Sequence, residues 1–116
     1  MSLLIRRGEI WLVEFSPTRG REQFGARPAL ILTADSADLN VLELVQVVPG
    51  TKNPRPTPTH IRADPSTTNG LDLVTFFMCE QLRTVSTDRL KRRLGKASAE
   101  NIEEVEECIK MLLDLT

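Results

Sequence analysis

The sequence predicts a small, strongly bent β-sheet, or half-open barrel, capped by one C-terminal α-helix. Three observations predict it. Five to seven short apolar runs alternate with turn-forming residues. Helical periodicity is confined to the end of the chain. The length of 116 residues is enough for one core and too short for a second, so residues 1–116 are expected to form a single domain.

The first strand is the β-prone run Ile10, Trp11, Leu12, Val13 and Phe15, ended by Ser16, Pro17, Thr18 and Gly20. The polar loop that follows holds Arg19, Arg21, Glu22, Gln23 and Arg27, more charge than a strand connection needs, and so is the first place to seek function. A second strand is expected over Pro28–Ala34, starting at Pro28 because proline lacks an N–H. After a loop through Asp35–Asn40, a third strand runs from Leu42 to Val48 and closes at the turn signal Pro49-Gly50, with Thr51 just beyond. The segment Thr51–Thr59, TKNPRPTPT, has three prolines and no apolar anchor and is expected to be a mobile loop. A short strand at Thr59–Ala63, a polar turn through Asp64, Pro65, Asn69 and Gly70, and resumed apolar character from Leu71 to Phe77 lead to an expected strand over Glu80–Val85. Ser86 is placed as N-cap of a single helical turn, Thr87–Leu90, and the basic cluster Arg89–Arg93 as a solvated edge. Ser98 caps the terminal helix, in which Ile102, Val105, Ile109, Leu112 and Leu113 form one apolar face. Exposed edges and Trp11 or Phe77 are expected as dimer surfaces.

Composition excludes several classes. Apolar and charged content are ordinary for a globular chain. No apolar run approaches the roughly 18 residues that span a bilayer, and MSLLIRRGE lacks the order of a signal peptide, so no membrane association and a cytoplasmic location are expected. Cys79 and Cys108 sit in apolar surroundings and are expected as buried free thiols. No Cys/His pair has metal-ligand spacing and no glycine-rich phosphate loop is present, which points to no cofactor. The formal charge of −1 argues against a nucleic-acid partner only until its distribution is considered. Glu100, Glu103, Glu104, Glu106 and Glu107 crowd one helix, and without them the chain is clearly positive.

The runs RGEIWLVEFSPTRGREQFGARPALIL and VVPGT, and the segment CEQLRTVSTDRL followed by a Gly95-containing link and a terminal helix, resemble the MazF/PemK toxins of type II toxin–antitoxin systems. The resemblance implies an SH3-like barrel, a homodimer, and an antitoxin whose disordered acidic tail fills the RNA groove. It also implies a sequence-specific endoribonuclease that cuts single-stranded RNA without a metal and so inhibits translation and growth. Arg27 matches the family's catalytic arginine, and Glu22 and Gln23 match its Glu-Gln pair. Thr51 matches the threonine beside the scissile phosphate, although Lys52 follows where a serine is usual. Glu80 stands where some members carry a catalytic aspartate, with Met78 where those members have an arginine. RNA contacts are expected from Arg19, Arg21, Gln23, Lys52, Arg55 and Gln81.

RNA carries its own nucleophile, the 2′-hydroxyl. A protein must take that proton, hold the charge growing on the phosphate, and let the 5′-oxygen leave. Arg27 suits the second task, being permanently charged and able to grip two oxygens. Thr51 can donate to the same oxygens, and Glu22 or Glu80 is the candidate base. The competing expectations are an ion pair of Glu80 with Arg83 or Arg89, His60 as base, and Trp11 as a core or interface residue rather than a stacking platform. From another class comes a CcdB-like toxin that poisons DNA gyrase by binding alone, because fold does not fix function.

Overall fold

In the computed structural model, which describes residues 4–16 and 25–115, seven strands form one bent antiparallel sheet. In chain order they are β1 (Glu9–Glu14), β2 (Ala26–Ile31), a one-turn helix α1 (Leu39–Leu42), β3 (Leu44–Thr51), β4 (His60–Ala63), β5 (Thr75–Met78), β6 (Arg83–Ser86) and β7 (Leu90–Lys96). Helix α2 (Ala99–Leu113) ends the chain. The strands lie in the order β4-β5-β3-β2-β1-β7, with β6 paired to β3 off this path. The sheet bends without closing, and among the described strands β4, β6 and β7 each pair along one side only.

The bend is made by β3. Leu44 to Val47 pair with β6, whereas Gly50 and Thr51 pair with β5. Val48 and Pro49 fall between these two ladders. The expected turn at Pro49-Gly50 is therefore not a turn: Pro49 pairs with Ala29 of β2 and is fully buried. The strand tolerates its missing N–H because the ladder on one edge is already interrupted there. Gly50 is needed for space, since a Cβ would lie 2.5 Å from Thr75 Cγ2 and 3.2 Å from the Pro28 carbonyl oxygen.

Side chains of the central strands alternate between two cores. Ile10, Leu30, Val48 and Phe77 face α2 with Val105 and Cys108; Val13, Ala29, Ile31, Val45, Val47 and Val85 pack on the other side with Phe15. Burial on both faces explains why these strands read as continuous apolar runs. Phe77 is wholly buried, which removes it from any dimer surface, while Trp11 is half-buried and donates from Nε1 to Glu9 Oε1 at 3.1 Å.

Several expected boundaries move. Strand β2 starts at Ala26, and Pro28 sits inside it opposite Leu12. The expected loop 35–40 runs into α1, with Asp38 accepting from Asn40 N. β5 begins only at Thr75. Residues Cys79–Gln81 form a 3-10 turn, so Glu80 is not on a strand. A 3-10 turn over Thr87–Arg89 follows β6, with Ser86 before it making no side-chain cap bond. The basic cluster is mostly strand β7, whose charge suits a sheet edge.

Helix α2 is capped by Ser98 Oγ, which accepts from Asn101 N at 3.0 Å. It packs on β4 and on the Cys79–Gln81 turn. Cys79 and Cys108 are free and buried in this contact; burial, then the neighbouring Cys108 thiol, push the Cys79 thiol far above its ordinary range. An Arg7–Glu106 ion pair ties the helix to the start of β1.

Candidate active site

The antiparallel register of β2 and β3 pairs Ala29 with Pro49 and Leu30 with Val48. Continued outward, it sets Arg27 across from Thr51, so two residues far apart in sequence share one face of neighbouring strands. Both side chains border two clefts. One, of about 340 Å³, is lined by Arg27, Thr51, Asn53, Arg55, His60, Met78, Glu80 and Gln81. The other, of about 320 Å³, holds Lys52, Asp72 and Arg92 against an apolar wall that includes Leu12, Leu71 and Leu94. Arg27 and Thr51 form the partition between them.

Thr51 is buried, and its Oγ1 accepts from Asn53 N at 3.2 Å. With that lone pair engaged, its O–H proton is the one left to give. Glu80 reaches the first cleft from the turn after β5. Its Oε1 accepts from Thr59 Oγ1 at 2.8 Å and its Oε2 lies 2.8 Å from His60 Nε2. Partial burial works against ionisation of this carboxyl, but the bonds from His60 and Thr59 outweigh it and hold Glu80 below the ordinary carboxylate range. The expected pairing of Glu80 with Arg83 or Arg89 is not what forms: Arg83 stacks over the Phe15 ring at 5.1 Å, and Arg89 donates to the Ser16 carbonyl.

The cluster Arg89–Arg93 thus separates into different tasks. Arg89 closes the end of β1, Arg93 pairs with Glu9 at 2.6 Å, and Arg92 borders a cleft. Of the sequence candidates, Arg27, Thr51, Glu80, Arg55 and Gln81 meet at one cleft, and Lys52 lies at the other. Arg19, Arg21, Glu22 and Gln23 lie outside the described residues. Asn53 and Asp72 escaped the sequence reading, because nothing in a linear pattern distinguishes a loop polar residue at a cleft from one in solvent, and Arg92, expected with its cluster at a solvated edge, borders a cleft instead. Among the described residues no three His, Cys, Asp or Glu side chains converge as a metal ion would require.

Fold and site define a small helix-backed β-sheet protein whose cleft offers an arginine, a buried hydroxyl and an ionised carboxylate, with further cations at its margin. That is equipment for a phosphate backbone. The chain belongs to the PemK-like, MazF-like toxins of type II toxin–antitoxin systems, whose family model matches residues 6–113. It is 36% identical over 117 residues to Endoribonuclease MazF9 of Mycobacterium tuberculosis, covering 97% of this chain and 98% of that one. The crystal structure of MazF from Deinococcus radiodurans matches with a TM-score of 0.82 at 26% identity, over 97% of this chain and 99% of that one. A MazE–MazF structure from the same organism matches with a TM-score of 0.77 at 27% identity, over 99% and 100%.

Proposed function

We propose that this toxin endoribonuclease cuts single-stranded RNA without a metal, by attack of the 2′-hydroxyl on the adjacent phosphate. The observation that carries the reading is the convergence of Arg27, Thr51 and Glu80 on one cleft, with Arg27 and Thr51 shared by the cleft beside it. A strand laid across that partition brings one phosphate to Arg27 and Thr51 and leaves a nucleotide on each side. Arg27 and the Thr51 hydroxyl stabilise the charge developing on the phosphate oxygens. Glu80, kept ionised, takes the 2′ proton, and the 5′-oxygen leaves with a proton from solvent. The products are a 2′,3′-cyclic phosphate and a 5′-hydroxyl. Glu22 remains the second candidate carboxylate on sequence grounds. Lys52, Arg55, Arg92 and Gln81 hold the flanking strand, and Arg19, Arg21 and Gln23 are proposed to join them from the first loop. Single strands are the substrate because their splayed bases can be read, whereas the deep groove of an RNA duplex cannot.

The purified protein incubated with a long single-stranded transcript in EDTA is expected to cut it, and Arg27→Ala to lower the rate by about 10²–10³-fold. A substrate carrying 2′-deoxyribose at the cut site should resist. Equal cutting by Arg27→Ala removes the proposed role of Arg27. Intact RNA with the wild-type protein, together with undiminished growth arrest by Arg27→Ala, would instead favour a CcdB-like toxin that binds a protein such as gyrase.

The proposed partners are a second copy of the chain and a cognate antitoxin with a disordered acidic tail, which orders on binding and covers the clefts with charge of the same sign as RNA. The MazE–MazF structure of D. radiodurans supports an antitoxin partner for a close structural relative. Among the described residues no helix is long and apolar enough to cross a membrane, and the proposed place of action is the cytoplasm, where messenger RNA is found.

A further inference from the structure

His60 is the chain's one histidine, and the site gives it a task that a ribonuclease histidine does not usually have. Its side chain is 3% exposed, against 38% for Glu80. Nε2 faces Glu80 Oε2 at 2.8 Å, and Nδ1 is buried and has no hydrogen-bond partner. Neither ring nitrogen can therefore receive a proton from a 2′-hydroxyl: one is engaged and the other is enclosed. Glu80 is an acceptor, so Nε2 must carry a proton and donate it.

The backbone makes this contact deliberate. In the β4–β5 ladder His60 is paired with Met78, and Glu80 lies two residues past Met78, on the 3-10 turn that follows β5. The Cys79 N–H donates to the Thr59 carbonyl at 2.9 Å, which pins the turn bearing Glu80 to the start of β4. Thr59 then fixes the other oxygen of Glu80, and Thr59 Oγ1 is itself bonded to Thr57 Oγ1 at 3.0 Å. The carboxylate, which lines the same cleft as Arg27, is thus gripped at both oxygens, by the last residue of the proline-rich segment and the first of β4.

We propose that His60 is a positioning residue for RNA cleavage, holding Glu80 through Nε2 in the orientation that receives the 2′ proton, with Thr59 as the second hold. The inference rests on the proposed function and adds a residue that acts only through Glu80. Misplacing a base by an ångström is costly to the chemical step and nearly silent in binding.

The test is single-turnover cleavage of a long single-stranded transcript, with the rate measured against protein concentration. It uses wild type, His60→Gln, His60→Asn, Thr59→Val, Glu80→Gln and the His60→Asn/Glu80→Gln double variant, with thermal unfolding recorded for each. A glutamine amide nitrogen reaches the place of Nε2, whereas an asparagine amide stops at the place of Nδ1. His60→Asn is expected to lower the saturating rate by about 30-fold while the half-saturating concentration stays within about twofold. His60→Gln should keep the rate within about threefold of wild type, and Thr59→Val should cost about fivefold. In the Glu80→Gln background His60→Asn should add less than about twofold, because the group it positions is gone.

Equal losses from His60→Gln and His60→Asn, a full loss persisting in the Glu80→Gln background, or a change in half-saturation alone would each overturn the proposal. If the His60 variants unfold, Thr59→Val decides it by the same split between rate and half-saturation. Wild type that leaves the transcript intact would bring down the endoribonuclease reading itself, and this inference with it.

Discussion

Glu9 and Glu80 are both carboxylates held more acidic than usual by bonds from their neighbours, yet they occupy opposite kinds of place. Glu9 is buried on β1 and enclosed by three donors: Oε1 accepts from Arg6 N at 2.8 Å and Trp11 Nε1 at 3.1 Å, and Oε2 pairs with Arg93. Burial opposes its ionisation, and the bonds from the Arg6 backbone, Arg93 and Trp11 overcome that opposition. Glu80 is gripped by His60 and Thr59 but turned into a cleft beside Arg27. A depressed pKa alone does not distinguish the girder from the tool. Exposure at a cleft that an arginine also lines does.

The sharpest way to break the comparison is to make the same substitution in both. Glu9→Gln turns one of its oxygens into a donor that faces other donors, and it is expected to cost about 1–3 kcal/mol in urea unfolding, with cleavage per folded molecule unchanged. Glu80→Gln should do the reverse, lowering cleavage by about 10²-fold while stability moves by less than about 1 kcal/mol, because the group is more than a third exposed. A Glu9 variant that folds fully but no longer cuts would show that the two carboxylates were wrongly divided.

Acid separates them more gently. Each carboxyl is more acidic folded than unfolded, so its linked stability is complete above its ordinary value of 4.5 and is lost as pH falls through the folded value. Unfolding free energy followed downward from pH 7 should therefore decline below about 4.5, and Glu9→Gln should flatten that decline more than Glu80→Gln. The acid limb of cleavage, measured where the protein is still folded, should also lie below 4.5. A limb near the roughly 6.5 of an ordinary histidine would transfer the base role away from Glu80.

How much of this was legible in the sequence depended on whether the deciding interactions were local. Helix α2 was legible because Ser98 and the spacing of Ile102, Val105 and Ile109 act within a few turns of chain. Arg27 and Thr51 were legible through the family resemblance, and the β2–β3 register supplies the physical reason they meet. The strand β7 was hidden because LKRRL carries charge that an edge strand needs and a solvated loop also shows. Pro49-Gly50 misled because its burial depends on a handover between two partner strands that no short window contains. Glu80 was sought on a strand, and its true partner, His60, was 20 residues away across a ladder whose register cannot be read from composition. The loop holding Glu22 and Gln23 is where the resemblance speaks and the described structure does not reach.

The smallest effect tests the same division among cations. Arg93 is half-exposed but committed to a buried carboxylate, whereas Arg55 is exposed at the margin of the Glu80 cleft. Arg93→Ala leaves Glu9 without its charged partner and should lower stability, with little change in the salt dependence of RNA binding. Arg55→Ala should leave stability within about 0.5 kcal/mol. Its RNA binding should weaken only a few-fold, and the slope of log affinity against log salt should shrink by about 0.7, the counterion release of one single-strand phosphate contact. The measurement is a binding titration on cleavage-resistant single-stranded RNA at several salt concentrations, beside urea unfolding of each variant. If Arg93→Ala flattens the salt slope and Arg55→Ala does not, Arg93 and not the proline-rich segment contacts the RNA strand, and the path of the substrate must be redrawn along β7 and out of the Glu80 cleft.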